Sequence, residues 1–417
     1  MAKKVILNLS TVINGGAGSN ALGNHKFLLN NGYDSYLVIK ERNNLDHENV
    51  IQYPYKRFEK LFSKFKRILL RYLLNKSKFD EKYFFYNKFE LFNCYSAKTI
   101  LKMLPRKPDI IIVYWVSGFV NSKLIYDLAN KTNATIYIFL VDNAPLTGGC
   151  HYPWDCEGYK NKCQFCPAIS NCIIKNLAKS NIKYKQKYKI NNAKIITGST
   201  SDFLMVKESA LFSSNSCFNL IDYIDDQIYK PAFSKMSIKK YFNIDDKKKI
   251  VFFGATFLNE RRKGMSELLQ ALDLIKSRSN ILLLIAGSAD IGEISLDHKR
   301  VGFLSETDLI RAYQAADLFV CPSLEDSGPM MINQSIMCGT PVVAFNMGVS
   351  MDLVLTGETG YRAKYADVED LAKGIDYILS LNQDEYNLMS NKCRILAMNS
   401  FSANVYRNNI HAILDDN

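Results

Sequence analysis

The stretch VGFLSETDLIRAYQAADLFVCPSLEDSGPMMINQSIMCGTPVVAF, residues 301–345, decides the fold. Three short apolar runs, ending in GFL, FVC and VVAF, alternate with two segments of helical periodicity, one from Thr307 and one over 329–338. Apolar strands bounded by such helices predict a parallel sheet covered on both faces. Upstream the pattern continues with KIVFFGA (249–255), a helix over Lys263–Lys276 and ILLLIAGS (281–288). The amino-terminal half repeats it. KKVILNLS (3–10) leads through the Gly-rich TVINGGAGSN into a helical ALGNHKFLLNNG, and then come DSYLVIK, PDIIIVYWV, a helix over Ser122–Lys131, ATIYIFLVD and AKIITGS. The expectation is two Rossmann-like, doubly wound α/β domains in tandem, over 1–225 and 235–398, with a terminal helix over 399–417. The charge-rich IDDQIYKPAFSKMSIKKYFNIDDKKK (224–249) reads as the connection between them.

Composition narrows the class. Of 417 residues, 47% are hydrophobic and 23% charged, which excludes wholesale disorder. The longest apolar runs, IIIVYWV and TIYIFLV, fall well short of the roughly 18 to 20 residues a spanning helix needs. MAKKVILNLS has too short an apolar core for a signal peptide, so a cytoplasmic chain is expected. The net charge is +12, and +8 of it lies between Lys56 and Lys78, where nine cations accompany Glu59 alone. Phe58, Leu61, Phe62, Phe65, Ile68, Leu69, Tyr72 and Leu73 share the opposite helical face. Such a segment, part of an insertion over about 50–100, reads as a helix lying on an anionic membrane surface, or as one packing on its own domain. No nucleic-acid recognition motif accompanies it, so nucleic acid is not an expected partner.

Five of the ten cysteines crowd into TGGCHYPWDCEGYKNKCQFCPAISNC (147–172). Cys150, Cys156, Cys163 and Cys166 run C-x5-C-x6-C-x2-C, beside His151 and ahead of Cys172. Four thiolates can close a tetrahedral structural zinc site; buried thiols or a disulfide are the alternatives. Two places suit an anionic ligand, because backbone N–H groups at a helix start bind phosphate. One is Gly15-Gly16-Ala17-Gly18 after the first strand. The other is Ser327-Gly328-Pro329-Met330-Met331, where Asp326 can accept hydroxyl hydrogen bonds or act as a cap, and Gln334 follows two turns on.

At these residues the chain resembles glycosyltransferase family 4. Residues 301–375, VFFGATFLNERRKGMSELLQAL (251–272) and IDDQIYKP (224–231) are similar to that family's carboxyl-terminal domain and interdomain signature. GGAGSNALGNHKFLLNNGYDS (15–35) and LVDNAPLTGGCHYPWDCEGYKNKCQFCPAI (140–169) resemble a subgroup that builds bacterial surface polysaccharides such as capsule and O-antigen. The resemblance implies the GT-B fold, two domains facing a cleft with the last helix returning to the first. It also implies retaining transfer from a UDP- or GDP-type sugar to a lipid-linked oligosaccharide, without a catalytic metal, by an enzyme peripheral on the inner membrane face.

Carried over residue by residue, Lys263 and Arg262 would neutralise the diphosphate, which Gly15 and Gly16 approach from the first domain. Asp326 would contact sugar hydroxyls beside the N–H groups of Gly328, Met330 and Met331, Gln334 the ribose, and Asp142 would line the acceptor side. Four positions depart from the family pattern: Asp326 and Gln334 stand for the two glutamates of E-x7-E, Val141 for a histidine, and Ala255 for an arginine. A non-catalytic sugar-nucleotide-binding protein and a GT-B epimerase are the alternative readings.

Overall fold

The computed structural model describes residues 3–41, 47–54, 68, 79–87, 90–91, 94–170, 174–275, 278–288 and 292–415. The basic segment 56–78, apart from Ile68, and Cys172 lie outside the described residues. Among the described residues no helix is long and apolar enough to cross a membrane.

Two compact units emerge. The first comprises Met1–Gly198 with Asp202–Asn219; the second comprises Ser199–Ser201 with Leu220–Asn417. In the first, β1 (Val5–Ser10), β2 (Asp34–Ile39), β3 (Val50–Gln52), β4 (Ile110–Val113), β5 (Thr135–Leu140), β6 (Lys194–Thr197) and β7 (Cys217–Asn219) form one sheet in the order β3-β2-β1-β4-β5-β6-β7. Every pairing is parallel. β1 and β4 are buried along their whole lengths, as strands covered on both faces must be. Helices Gly15–Asn30, Ser122–Thr132 and Leu177–Lys187 supply crossovers. Asn121 caps the second of these by accepting from Leu124 N–H at 3.0 Å.

In the second unit β8 (Lys249–Phe257), β9 (Ile281–Ser288), β10 (His298–Gly302), β11 (Leu318–Cys321), β12 (Val342–Phe345) and β13 (Gly360–Ala363) pair in the order β10-β9-β8-β11-β12-β13, again all parallel. Helices Glu306–Ala315 and Met330–Met337 stand within a residue of the periodicity in the opening stretch.

Three expectations change. The segment 224–249 is no bare connection: Ile224, Tyr229, Phe242 and Ile244 enter the second unit's core, and Lys235–Tyr241 is helical. Its apolar side chains are spaced among charges, which hides them from a composition reading. The last segment is two helices, Gln383–Phe401 and Ala403–Asp415, broken at the extended Ser402. Both group with the second unit, where Ala403 N–H donates to Asp226 at 2.9 Å and Tyr406 packs near Tyr223. The helix expected over Lys263–Lys276 starts at Met265, because Gly264 is left-handed (φ 72°) after a 3-10 turn at Arg261–Lys263.

Candidate active site

In the first unit the carboxyl ends of β1, β4 and β5 lie side by side, the edge where open parallel sheets bind ligands. Gly15 (φ 73°) opens the helix after β1, and a side chain added at Gly15 or Gly16 would meet open space. The loops after β1 and β4 are tied together: Thr11 N–H donates to Trp115 O at 2.7 Å and Thr11 Oγ1 to Ser117 O at 3.1 Å.

Asp142 follows β5 and is buried, at 5% exposure. Its Oδ1 accepts from Ala144 N–H at 2.8 Å and its Oδ2 lies 2.7 Å from His151 Nδ1. His151, 3% exposed, reaches Ser117 Oγ with Nε2 at 2.9 Å. Val141 leaves this position without an adjacent histidine, and the chain supplies one from nine residues further along. Reading adjacent positions missed both His151 and Ser117. The signal was His151 itself, one of only five histidines in the chain.

The loop carrying His151 is pinned from the helix Leu177–Lys187. Lys185 Nζ donates to Ala144 O at 2.6 Å and Thr147 O at 2.9 Å, and Asn181 Nδ2 donates to Gly148 O at 2.7 Å. Cys150, Cys156, Cys163 and Cys166 line one small cavity with Tyr159 and Phe85. All four are free thiols. Burial pushes the Cys166 thiol up to about 12, and it also raises Cys150 and Cys163, so these remain protonated near neutrality. Among the described residues no group of three or more His, Cys, Asp or Glu side chains is arranged to hold a metal ion.

In the second unit Arg262, Lys263 and Asp326 come together. Arg262 Nη1 lies 3.0 Å from Asp326 Oδ2, Lys263 Nζ pairs with the same oxygen, and Glu260 takes the other face of the guanidinium at 2.8 Å. All four side chains are largely buried, from 11% exposed for Asp326 to 21% for Lys263. Burial alone would raise the Asp326 carboxyl. Lys263 and Arg262, with Gly328 N–H donating to it, outweigh burial and hold it below the usual carboxylate range. The loop is held by Leu324 N–H donating to Arg262 O at 2.7 Å. The helix beyond it, Met330–Met337, starts at Pro329 without a side-chain cap, so its first turn carries partial positive charge toward the same loop as Ser327 and Gly328.

Two cations balanced by two carboxylates make a cluster of no formal charge. It is preorganised for an anion that can displace a carboxylate from the cations. Gln334 stands in a different environment: Tyr313 OH donates to its Oε1 at 2.9 Å and its Nε2 donates to Tyr229 OH at 3.1 Å. Burial raises both tyrosines, which therefore keep their protons. A glutamate could accept from Tyr313 but could not donate to Tyr229, which gives a physical reason for the amide.

Residues 234–394 match the family model "Glycosyl transferases group 1". An uncharacterized glycosyltransferase of Methanocaldococcus jannaschii is 27% identical over 156 residues, 35% of this chain and 40% of that protein. The N,N'-diacetylbacillosaminyl-diphospho-undecaprenol alpha-1,3-N-acetylgalactosaminyltransferase of Campylobacter jejuni is 26% identical over 168 residues, 39% of this chain and 44% of that protein. Each match thus spans less than half of the relative's length. Anabaena HepE, solved in complex with UDP and glucose, has the same fold, with TM-score 0.68 at 14% identity over 99% of this chain and 100% of that one. The chain therefore has the GT-B fold of two Rossmann-like units, and the stretch similar to the group 1 glycosyl transferases is the one that holds Arg262, Lys263 and Asp326.

Proposed function

We propose that this glycosyltransferase moves a sugar, with retention at the anomeric carbon and without a catalytic metal, from a nucleotide-diphosphate sugar to a lipid-diphosphate-linked glycan in bacterial surface polysaccharide synthesis. The cluster of Arg262, Lys263 and Asp326 at the start of the helix Met330–Met337 carries the reading. Two side-chain cations and a helix start suit a diphosphate leaving group, whose growing charge they would stabilise as the glycosidic bond breaks. Asp326 exchanges its cations for sugar hydroxyls, Ser327, Gly328, Met330 and Met331 offer backbone N–H groups, and Gln334 meets the ribose. Proton transfer from the acceptor goes to a leaving phosphate oxygen on the same face.

The Campylobacter relative's name, with its diphospho-undecaprenol acceptor, supports the lipid-linked class, and the UDP and glucose bound to Anabaena HepE support the donor class. The basic segment 56–78 would hold the enzyme peripherally on the cytoplasmic face of the membrane, beside that acceptor.

A thermal-shift screen across UDP- and GDP-sugars tests this. The donor at 100 times its dissociation constant stabilises by about 2.7 kcal/mol. In Lys263→Ala the shift shrinks and donor affinity falls at least about tenfold, the loss of one charge-assisted phosphate contact. A folded protein that ignores every nucleotide sugar sinks the reading.

Zinc in the thiol cluster remains a proposal of spacing and shared cavity. Binding requires the thiols to turn inward and release their protons, so it strengthens as pH rises. Metal analysis of protein purified without chelator is expected to give about one zinc per chain. Four freely titrating thiols with substoichiometric zinc remove the site.

A further inference from the structure

We propose that Ser117 binds a saccharide hydroxyl of the acceptor as a hydrogen-bond acceptor, with His151 and Asp142 as the positioning residues that fix its hydroxyl proton. The proposal rests on the glycosyltransferase reading and adds to it the residue that meets the acceptor.

Both oxygens of Asp142 are already engaged, one by Ala144 N–H at 2.8 Å and the other by His151 Nδ1 at 2.7 Å. Asp142 therefore acts on Ser117 through the imidazole. A carboxylate at that distance requires the proton on Nδ1. The Trp115 indole nitrogen, 3.1 Å from Nδ1, is then a packing neighbour and not a hydrogen-bond donor to it. The tautomer leaves Nε2 with a lone pair, so Ser117 donates its O–H across the 2.9 Å contact. What remains on Ser117 Oγ is acceptor capacity alone.

Ser117 borders a place where a ligand can stand. Ser117, Trp115 and Asp142 line one cavity of the first unit, after β4 and β5, on the same sheet edge as the Gly15-Gly16 loop. Trp115 is half-buried, and an indole face is the surface on which the C–H groups of a pyranose pack. A hydroxyl serving only to sew two loops together needs no buried carboxylate to dictate its direction. Here a 5% exposed aspartate and a 3% exposed histidine are committed to one 8% exposed serine.

The test exploits the tautomer. Asp142→Asn keeps the contact to Ala144 through Oδ1 and turns an N–H toward Nδ1. The imidazole proton then moves to Nε2, and Ser117 accepts from it and directs its own O–H into the cavity. Wild type should bind simple glycosides and reject the deoxyfluoro analogue at the recognised position, because fluorine cannot donate. Asp142→Asn should regain that analogue, and Ser117→Ala should weaken the parent glycoside by about 3- to 10-fold, the worth of one hydrogen bond.

The probes are methyl glucoside, methyl N-acetylglucosaminide and their mono-deoxyfluoro derivatives. Binding is read from Trp115 fluorescence of the full-length protein carrying Trp154→Phe. A purely structural triad predicts no difference in analogue preference between wild type and Asp142→Asn, and that result overturns the proposal. So does the absence of saturable glycoside binding in a protein that a nucleotide sugar stabilises. Glycoside binding without any nucleotide-sugar response would instead remove the transferase reading and leave the saccharide site standing.

Discussion

Gly264→Ala is expected to destabilise the second unit by more than about 3 kcal/mol and to abolish donor binding in whatever protein remains folded. Gly264 joins the 3-10 turn at Arg261–Lys263 to the helix Met265–Leu274 in a left-handed conformation, φ 72°. An L-residue there costs roughly 1 kcal/mol before any clash is counted. The clash is the larger part. A Cβ on Gly264 would sit 1.7 Å from Pro322 O and 2.6 Å from its carbonyl carbon, both backbone atoms that no rotamer change can move. Relief requires β8's following turn to separate from the loop after β11. Those are the two segments that set Lys263 against Asp326. Urea unfolding of the variant and its response to nucleotide sugars check both parts; a loss below about 1 kcal/mol would show that the loop yields freely.

Asp326→Ala carries the second large effect. The substitution leaves Arg262 and Lys263, 13% and 21% exposed, facing each other without their shared counter-ion. Removing one partner of a fully buried pair costs about 3 to 5 kcal/mol; with water reaching both cations, about 2 kcal/mol is expected. Glu260 still neutralises Arg262, so the strain falls chiefly on Lys263. Adding Lys263→Met should recover more than half of the lost stability, and a double-mutant cycle measures the coupling. Donor affinity should separate from stability. The Asp326→Ala cations have lost their competitor, so UDP alone should bind at least as tightly as to wild type, while sugar transfer is lost. Weaker UDP binding would mean that Asp326 assembles the phosphate site and does not compete for it.

Much of this was legible in the chain. The alternation of apolar runs and helical segments gave both parallel sheets, because strands buried on two faces are continuously apolar and their crossovers must be amphipathic. The cluster of Arg262, Lys263 and Asp326 was also legible, since it sits in the loops after β8 and β11, neighbouring strands of one sheet. Local spacing failed where side chains are buried among charges. Ile224, Tyr229, Phe242 and Ile244 give no periodic signal, yet they belong to the core. The break at Ser402 also went unread, because the residues on both sides have ordinary helix propensity.

The sequence by itself determined the two-sheet architecture and the loops of the second unit that bring Arg262, Lys263 and Asp326 together, because strand period, helix period and the glycine between them are properties of adjacent residues. Only the tertiary structure decided how the Asp142 position works. A histidine nine residues on and a serine 25 residues back meet there at the ends of two neighbouring strands. Contacts across a sheet edge depend on strand order and loop path, and neither is written in the spacing of the residues that make them. The same holds for Gln334, whose amide makes sense once Tyr313 and Tyr229 are seen on either side of it.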